Sequence, residues 1–196
     1  MAYVKNAGQL SGHENRKIRE AALEIIEYAL AQSNPYGAPK EIISVQGDLL
    51  VVDGLRFDLR KQRRIFVLGA GKATYPIAKA LEEILGNSIS DGLVVSKYGH
   101  QKKLTYAKLY SAGHPIPNES GFEVSQKMLD LAKKTQAGDI VFGCITGGSS
   151  ALLPFPVKGV TLAEKKAVTH LLLTSGADIV EINAVRKHLS QIKGGG

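Results

Sequence analysis

Ile65-Phe66-Val67-Leu68 is a run of four apolar residues, and Gly69-Ala70-Gly71-Lys72 follows it without a spacer. Such a run reads as a strand buried on both faces. Beyond the glycine-rich turn, Ala73, Ile77, Ala80, Leu81 and Ile84 recur at the spacing of one helix face. Strand, glycine turn and helix in that order open a parallel α/β unit. The rhythm continues downstream. Leu93-Val94-Val95 reads as a second strand, residues 104–110 as a third, and residues 120–134 as a helix with Phe122, Val124, Met128, Leu129 and Leu131 in the core. Asp139 to Ile145 is expected to be the most buried strand, and helices are expected over 161–174 and 178–191.

Upstream, Ile18, Ala21, Ala22, Ile25, Ile26 and Ala29 form an apolar stripe, so 13–33 is read as an amphipathic helix ended by Asn34-Pro35 and Gly37. Residues 49–52 and 55–59 are β-prone and joined by Asp53-Gly54, a dipeptide that favours a two-residue hairpin. The fold expected from these patterns is a three-layer, Rossmann-like α/β domain. It has a mostly parallel sheet, helices on both faces, and a small β-hairpin near residues 49–59. The 196 residues suffice for one such domain.

Composition narrows the function classes. Hydrophobic residues are 44% and charged residues 22%, an ordinary globular balance. The net charge of +7 raises the question of nucleic acid, but aromatic residues are only 6% and Trp is absent, so stacking platforms are scarce. The cations come in scattered pairs, Arg63-Arg64, Lys102-Lys103, Lys133-Lys134 and Lys165-Lys166, and read as a solvated surface with a small anionic ligand. No apolar stretch approaches the roughly 18 residues of a membrane span, and the N-terminus lacks a secretory h-region. The single cysteine, Cys144, lies in an apolar run and reads as a buried small hydrophobe in a reducing cytosol.

Ligands of parallel sheets sit beyond the carboxyl ends of the strands, and the unusual residues of this chain gather in that position. Gly69 and Gly71 let backbone amides approach an anion, and Lys72 adds a positive charge where a helix dipole does not want one. The turn is not a Walker A loop, and Thr74 at the third glycine position makes it a poor dinucleotide fingerprint. Lys97 could still meet an NADP phosphate. Thr146-Gly147-Gly148-Ser149-Ser150 combines two glycines with hydroxyls and reads as an anion-binding nest or as a tight strand-to-helix turn. Gly113-His114-Pro115-Ile116-Pro117-Asn118-Glu119 is a stiff loop. His114 is open between site and structure there, while Asn118 and Glu119 read first as a helix cap and its first turn. Asn183 and Arg186, one helical turn apart, can act on one anion. The chain then ends on Lys193-Gly194-Gly195-Gly196, which reads as a polypeptide cut within a motif.

Five strings occur in order: Gly69-Ala70-Gly71-Lys72-Ala73, Lys97-Tyr98-Gly99-His100, Ala112-Gly113-His114-Pro115-Ile116-Pro117, Gly147-Gly148-Ser149-Ser150-Ala151-Leu152, and Glu181-Ile182-Asn183-Ala184-Val185-Arg186-Lys187-His188-Leu189-Ser190. Together they resemble the N-terminal domain of the glycerate 2-kinase family, whose members are often labelled hydroxypyruvate reductases. The resemblance runs from the first long helix to the last residue.

It implies phosphorylation of D-glycerate to 2-phosphoglycerate with ATP and magnesium, in a cleft between this domain and a smaller C-terminal one. It also implies that Lys72 is the catalytic lysine. Gly69, Gly71, Gly147, Gly148, Ser149, Ser150, Asn183 and Arg186 would bind phosphate or substrate, with His114, Lys97 and Lys193 as further candidates. No metal ligands are identified. The family usually has serine where Thr146 stands and often aspartate where Asn118 stands. Its C-terminal domain has no counterpart in this chain, so the fragment by itself is expected to be inactive or impaired. Glycerate, a nucleotide, the C-terminal domain and a second copy of the chain are the expected partners; nucleic acid and membrane are not, and the expected location is the cytoplasm. An NAD(P)H-dependent hydroxypyruvate reductase and a non-catalytic phosphate-binding module are the competing readings.

Overall fold

The computed structural model describes residues 3–61, 64–99 and 103–194. Arg63, His100, Lys102, Gly195 and Gly196, named above, lie outside the described residues. The chain opens with α1 (Ala7–Ser11), α2 (Arg16–Gln32) and α3 (Ala38–Ile42). Three short strands follow, β1 (Ile43–Gln46), β2 (Leu49–Val52) and β3 (Leu55–Asp58), in an antiparallel sheet of order β1-β2-β3. Asp53 and Gly54 both have positive φ, 45° and 82°, as a type I′ hairpin turn requires. The expected hairpin is present, with β1 as an added strand.

The main sheet is parallel throughout and has the order β6-β5-β4-β7. Its strands are β4 (Ile65–Ala70), β5 (Ile89–Lys97), β6 (Lys108–Ala112) and β7 (Ile140–Ile145). α4 (Thr74–Leu85) links β4 to β5, and α5 (Glu119–Ala132) links β6 to β7. After β7 come α6 (Ser149–Leu152), α7 (Leu162–Thr174) and α8 (Ile179–His188).

Alternation along the strands builds the three layers. Val67, Val94 and Cys144 pack with Ala78, Leu81 and Leu85 of α4 on one face, and Ile43 and Leu50 of the small sheet join them. Phe66, Ala70, Leu93 and Val95 pack with Val124 and Leu131 of α5 and Leu152 of α6 on the other.

Four local expectations change. β7 is an edge strand with Val141 and Ile145 exposed, so β4 and β5 are the buried centre instead. The α2 stripe is uncovered: Ile18 and Ile25 are each 70% exposed. Residues 104–107 form a loop whose amides at Thr105, Tyr106 and Ala107 donate to the buried Glu82 carboxylate, which anchors the approach to β6. Two of the cations expected to be solvated are engaged. Arg64 pairs with Asp139 at 2.8 Å, joining the starts of β4 and β7. Lys165 is 5% exposed because its ammonium donates to the carbonyls of Phe155 and Leu189. No helix among the described residues is long and apolar enough to cross a membrane.

Candidate functional site

The chain lays down β4, β5 and β6 in one direction, then returns to place β7 on the other side of β4. A reversal of this kind opens a crevice beyond the carboxyl ends of the two strands on either side of it, here β4 and β7, because their following helices leave toward opposite faces. Here α4 leaves β4 toward one core cluster and α6 leaves β7 toward the other. The turns Gly69–Lys72 and Thr146–Ser150 therefore face each other across the crevice.

They are not equivalent. The amide of Gly71 donates to Val95 O at 3.1 Å and that of Lys72 to Gly147 O at 2.9 Å. The amide of Ala73 donates to Thr146 Oγ1 at 3.1 Å, so the threonine hydroxyl takes the place of a local cap on α4. Glycine is needed in this turn for close packing. A Cβ on Gly71 would overlap Thr146 Oγ1 and stand 2.7 Å from Thr146 O, and φ is 142° there. A Cβ on Gly69 would strike Thr74 Oγ1, whose hydroxyl donates to Cys144 O at 2.7 Å. The first turn thus commits its amides to the fold. What it offers a ligand is the exposed side chain of Lys72, in the turn just before α4 and outside its first helical residues. Among the described residues that ammonium has no carboxylate partner.

The second turn has amides to spare. Thr146 N donates to Ala70 O and Ser149 N to Thr146 O, but among the described residues the amides of Gly147, Gly148 and Ser150 donate to no acceptor. Gly148 is left-handed, with φ 94°. A Cβ there would come 2.9 Å from His114 Nε2 and 3.2 Å from Lys72 Cγ. One on Gly147 would meet nothing closer than Lys72 Cε at 3.9 Å. Lys72, His114 and the free amides consequently surround one spot, a cationic stem and a ring that packs against glycine backbone. Such a concavity of unpaired donors beside a lysine suits a phosphate.

His114 is brought there by a built loop. Asn118 caps α5 by accepting from Gly121 N, and the same oxygen accepts from Gly113 N at 2.9 Å. Its amide donates to Tyr98 Oη at 3.1 Å, tying this loop to the end of β5. Asn118 is thus the cap that its position before α5 implies. Lys97 is exposed at the end of β5, beside Ala112 in register. Cys144 is 3% exposed and its thiol is pushed up to about 12 by burial, an inert core residue.

Asn183 and Arg186 lie one turn apart on α8, and Arg186 acts electrostatically on Lys193. Among the described residues no hydrogen bond or ion pair joins them to Lys72, and Asn183 is exposed on α8. Burial lowers the pKa of Arg186. Lys193 and Arg186 keep company with Lys165, which carries no mark in the sequence beyond being one of a lysine pair. Thr146 and Thr74 are equally unmarked as the staples of the first turn, because their partners lie about seventy positions away in the chain.

The resemblance implies magnesium. Among the described residues no three His, Cys, Asp or Glu side chains gather to hold a metal ion. Among the described residues this segment therefore builds no all-protein cage for the ion.

Residues 21–196 match the family described as "Domain of unknown function (DUF4147)", and the chain belongs to it. It is 40% identical over 178 residues to a glycerate 2-kinase of Pyrococcus horikoshii, covering 91% of this chain and 40% of that protein. It is 37% identical over 179 residues to a D-glycerate 2-kinase of Thermotoga maritima, again covering 91% and 40%. The crystal structure of the PH0495 protein from Pyrococcus horikoshii superposes with a TM-score of 0.81 at 40% identity, over 91% of this chain and 40% of that one. The chain is thus homologous to the N-terminal portion of glycerate 2-kinases and spans 40% of the length of these relatives.

Proposed function

We propose that this chain is the N-terminal domain of a two-domain glycerate 2-kinase, which transfers the γ-phosphoryl group of ATP to the 2-hydroxyl of D-glycerate. The observation that carries the reading is the meeting of Lys72, His114 and the unpaired amides of Gly147, Gly148 and Ser150 at the β4–β7 crevice. Phosphoryl transfer asks a protein for position and charge more than for covalent help. Lys72 neutralises charge on the transferring group. The amides and the hydroxyls of Ser149 and Ser150 hold its oxygens, and His114 takes the proton of the attacking hydroxyl. Gly69 and Gly71 serve by shaping the turn that presents Lys72. Asn183 and Arg186 orient the anionic substrate, and the C-terminal domain closes the cleft in a cytosolic enzyme.

The test is ATP-dependent formation of 2-phosphoglycerate by the full-length protein that contains this segment. Lys72→Ala is expected to lower kcat by about a thousandfold, the scale of losing a major electrostatic donor. Unchanged turnover would remove Lys72 from the catalytic role. Robust oxidation of NADH or NADPH with hydroxypyruvate would overturn the kinase reading in favour of a reductase. Binding of phosphorylated ligands without turnover would favour a non-catalytic module.

A further inference from the structure

β5 and β6 end side by side, with Lys97 opposite Ala112 in register, so Tyr98 and Gly113 leave the sheet as neighbours. Tyr98 belongs to a string, Lys97-Tyr98-Gly99-His100, that the kinase reading leaves without a task. It is 54% exposed, so packing does not account for a tyrosine in this position. Its hydroxyl is engaged twice. It accepts from Asn118 Nδ2 at 3.1 Å and donates to Ser120 Oγ at 3.0 Å.

Asn118 is bound at both ends of its amide. Oδ1 accepts from Gly113 N at 2.9 Å and from Gly121 N at 3.1 Å. With the oxygen held by two backbone amides, the NH2 group has to face the other way, and Tyr98 Oη is the acceptor it meets there. Capping α5 needs only the bond from Gly121. The bond from Gly113 closes the loop 113–118 on itself, and the closure is tight. A Cβ on Gly113 would come 2.5 Å from Ile116 O and 3.0 Å from Asn118 Cγ. His114 is the next residue, and its ring lies against Gly148, where a Cβ would stand 2.9 Å from Nε2. Bonds within the loop fix its shape. The bond to Tyr98 fixes the loop against the end of β5.

We propose that Tyr98 is a positioning residue for His114: through the Asn118 amide it sets where the loop 113–118 delivers the imidazole against Gly148. The consequence for catalysis rests on the task given to His114 in the kinase reading; the placement itself does not. Tyr98 touches no reacting group in that reading and acts only through Asn118.

The placement is tested first, in the 196-residue chain. Nuclear Overhauser contacts between the His114 ring and Gly148 are expected in the parent and are expected to be lost in Tyr98→Phe. Asn118→Asp keeps both backbone bonds and takes a proton from Tyr98 instead of giving one, so it should retain those contacts. Asn118→Ala also removes the cap of α5 and can loosen that helix, so the other two variants decide the outcome. Unchanged contacts in Tyr98→Phe overturn the proposal. In the full-length protein that contains this segment, Tyr98→Phe should lower kcat about tenfold and leave the KM for ATP unchanged. It should lower kcat no further once His114 is replaced by alanine, because a residue that acts through His114 then has nothing to position. An equal loss in the His114→Ala background overturns the positioning role. A full-length parent that forms no 2-phosphoglycerate removes the kinase reading alone, and the His114–Gly148 contacts then decide the placement by themselves.

Discussion

Gly71 and Gly147 stand in similar turns at the ends of neighbouring strands, and in sequence they carry the same meaning, room for an anion. Their surroundings separate them. A Cβ on Gly71 would be driven into Thr146 in a backbone with φ 142°, whereas one on Gly147 would find its nearest atom at 3.9 Å. Gly71→Ala is therefore expected to cost about 2–4 kcal/mol of stability, and Gly147→Ala under about 1 kcal/mol. Urea denaturation of both variants checks this, and equal losses would refute the division. Gly147→Ala should instead show itself in phosphate binding, where the amides beside it are unpaired. The anion-binding character of the crevice is legible from residue types, but the division of labour is not. It depends on Thr146 and Thr74 contacting the first turn across the sheet, and no local pattern announces a contact of that range.

Among the helices, periodicity locates α2 and α4 equally well and gives each an apolar face. In α4 that face is covered, with Leu81 at 2% exposure, while in α2 Ile18 and Ile25 stand at 70%. A stripe reports that one side of a helix is apolar; whether anything lies against it is settled by the rest of the chain. Leu81→Ala is accordingly expected to cost about 2–5 kcal/mol, and Ile25→Glu less than about 0.5 kcal/mol. A large destabilisation by Ile25→Glu in chemical denaturation would contradict the exposed position of that face. The same physics explains β7. Its residues are as apolar as those of β4, yet it pairs on one side only, and a run of apolar residues does not say where in the strand order it falls. β1 and the loop held by Glu82 escape a sequence reading because neither has a local signature.

At the scale of the whole molecule, the α/β class, the parallel sheet and the hairpin follow from strand runs, helical stripes and the Asp53-Gly54 turn, all of them short-range. The net charge of +7 reads as a solvated surface, which misplaces Lys165; with Arg186 and Lys193 it makes up a part of that charge that burial desolvates. That part makes the stability of the chain depend on pH in a definite direction. Lys165 and Lys193 are lowered to about 8 in the folded chain, against 10.5 for an ordinary lysine. Below about pH 8 both folded and unfolded chains keep these protons, and the folded chain carries the whole cost of crowded charge. Between about 8 and 10.5 the unfolded chain still holds protons that the folded chain has released, so the stability contributed by this group rises with pH. The groups that face the two lysines here are each other and Arg186, which stays charged throughout. Unfolding free energies from urea at about pH 7.5 and 9.5 are expected to differ more favourably toward high pH in the parent chain than in Lys193→Met. Every other tyrosine and lysine is common to both and cancels in the comparison. A parent chain whose stability falls relative to Lys193→Met across that interval would mean that the three cations are not crowded as the fold places them.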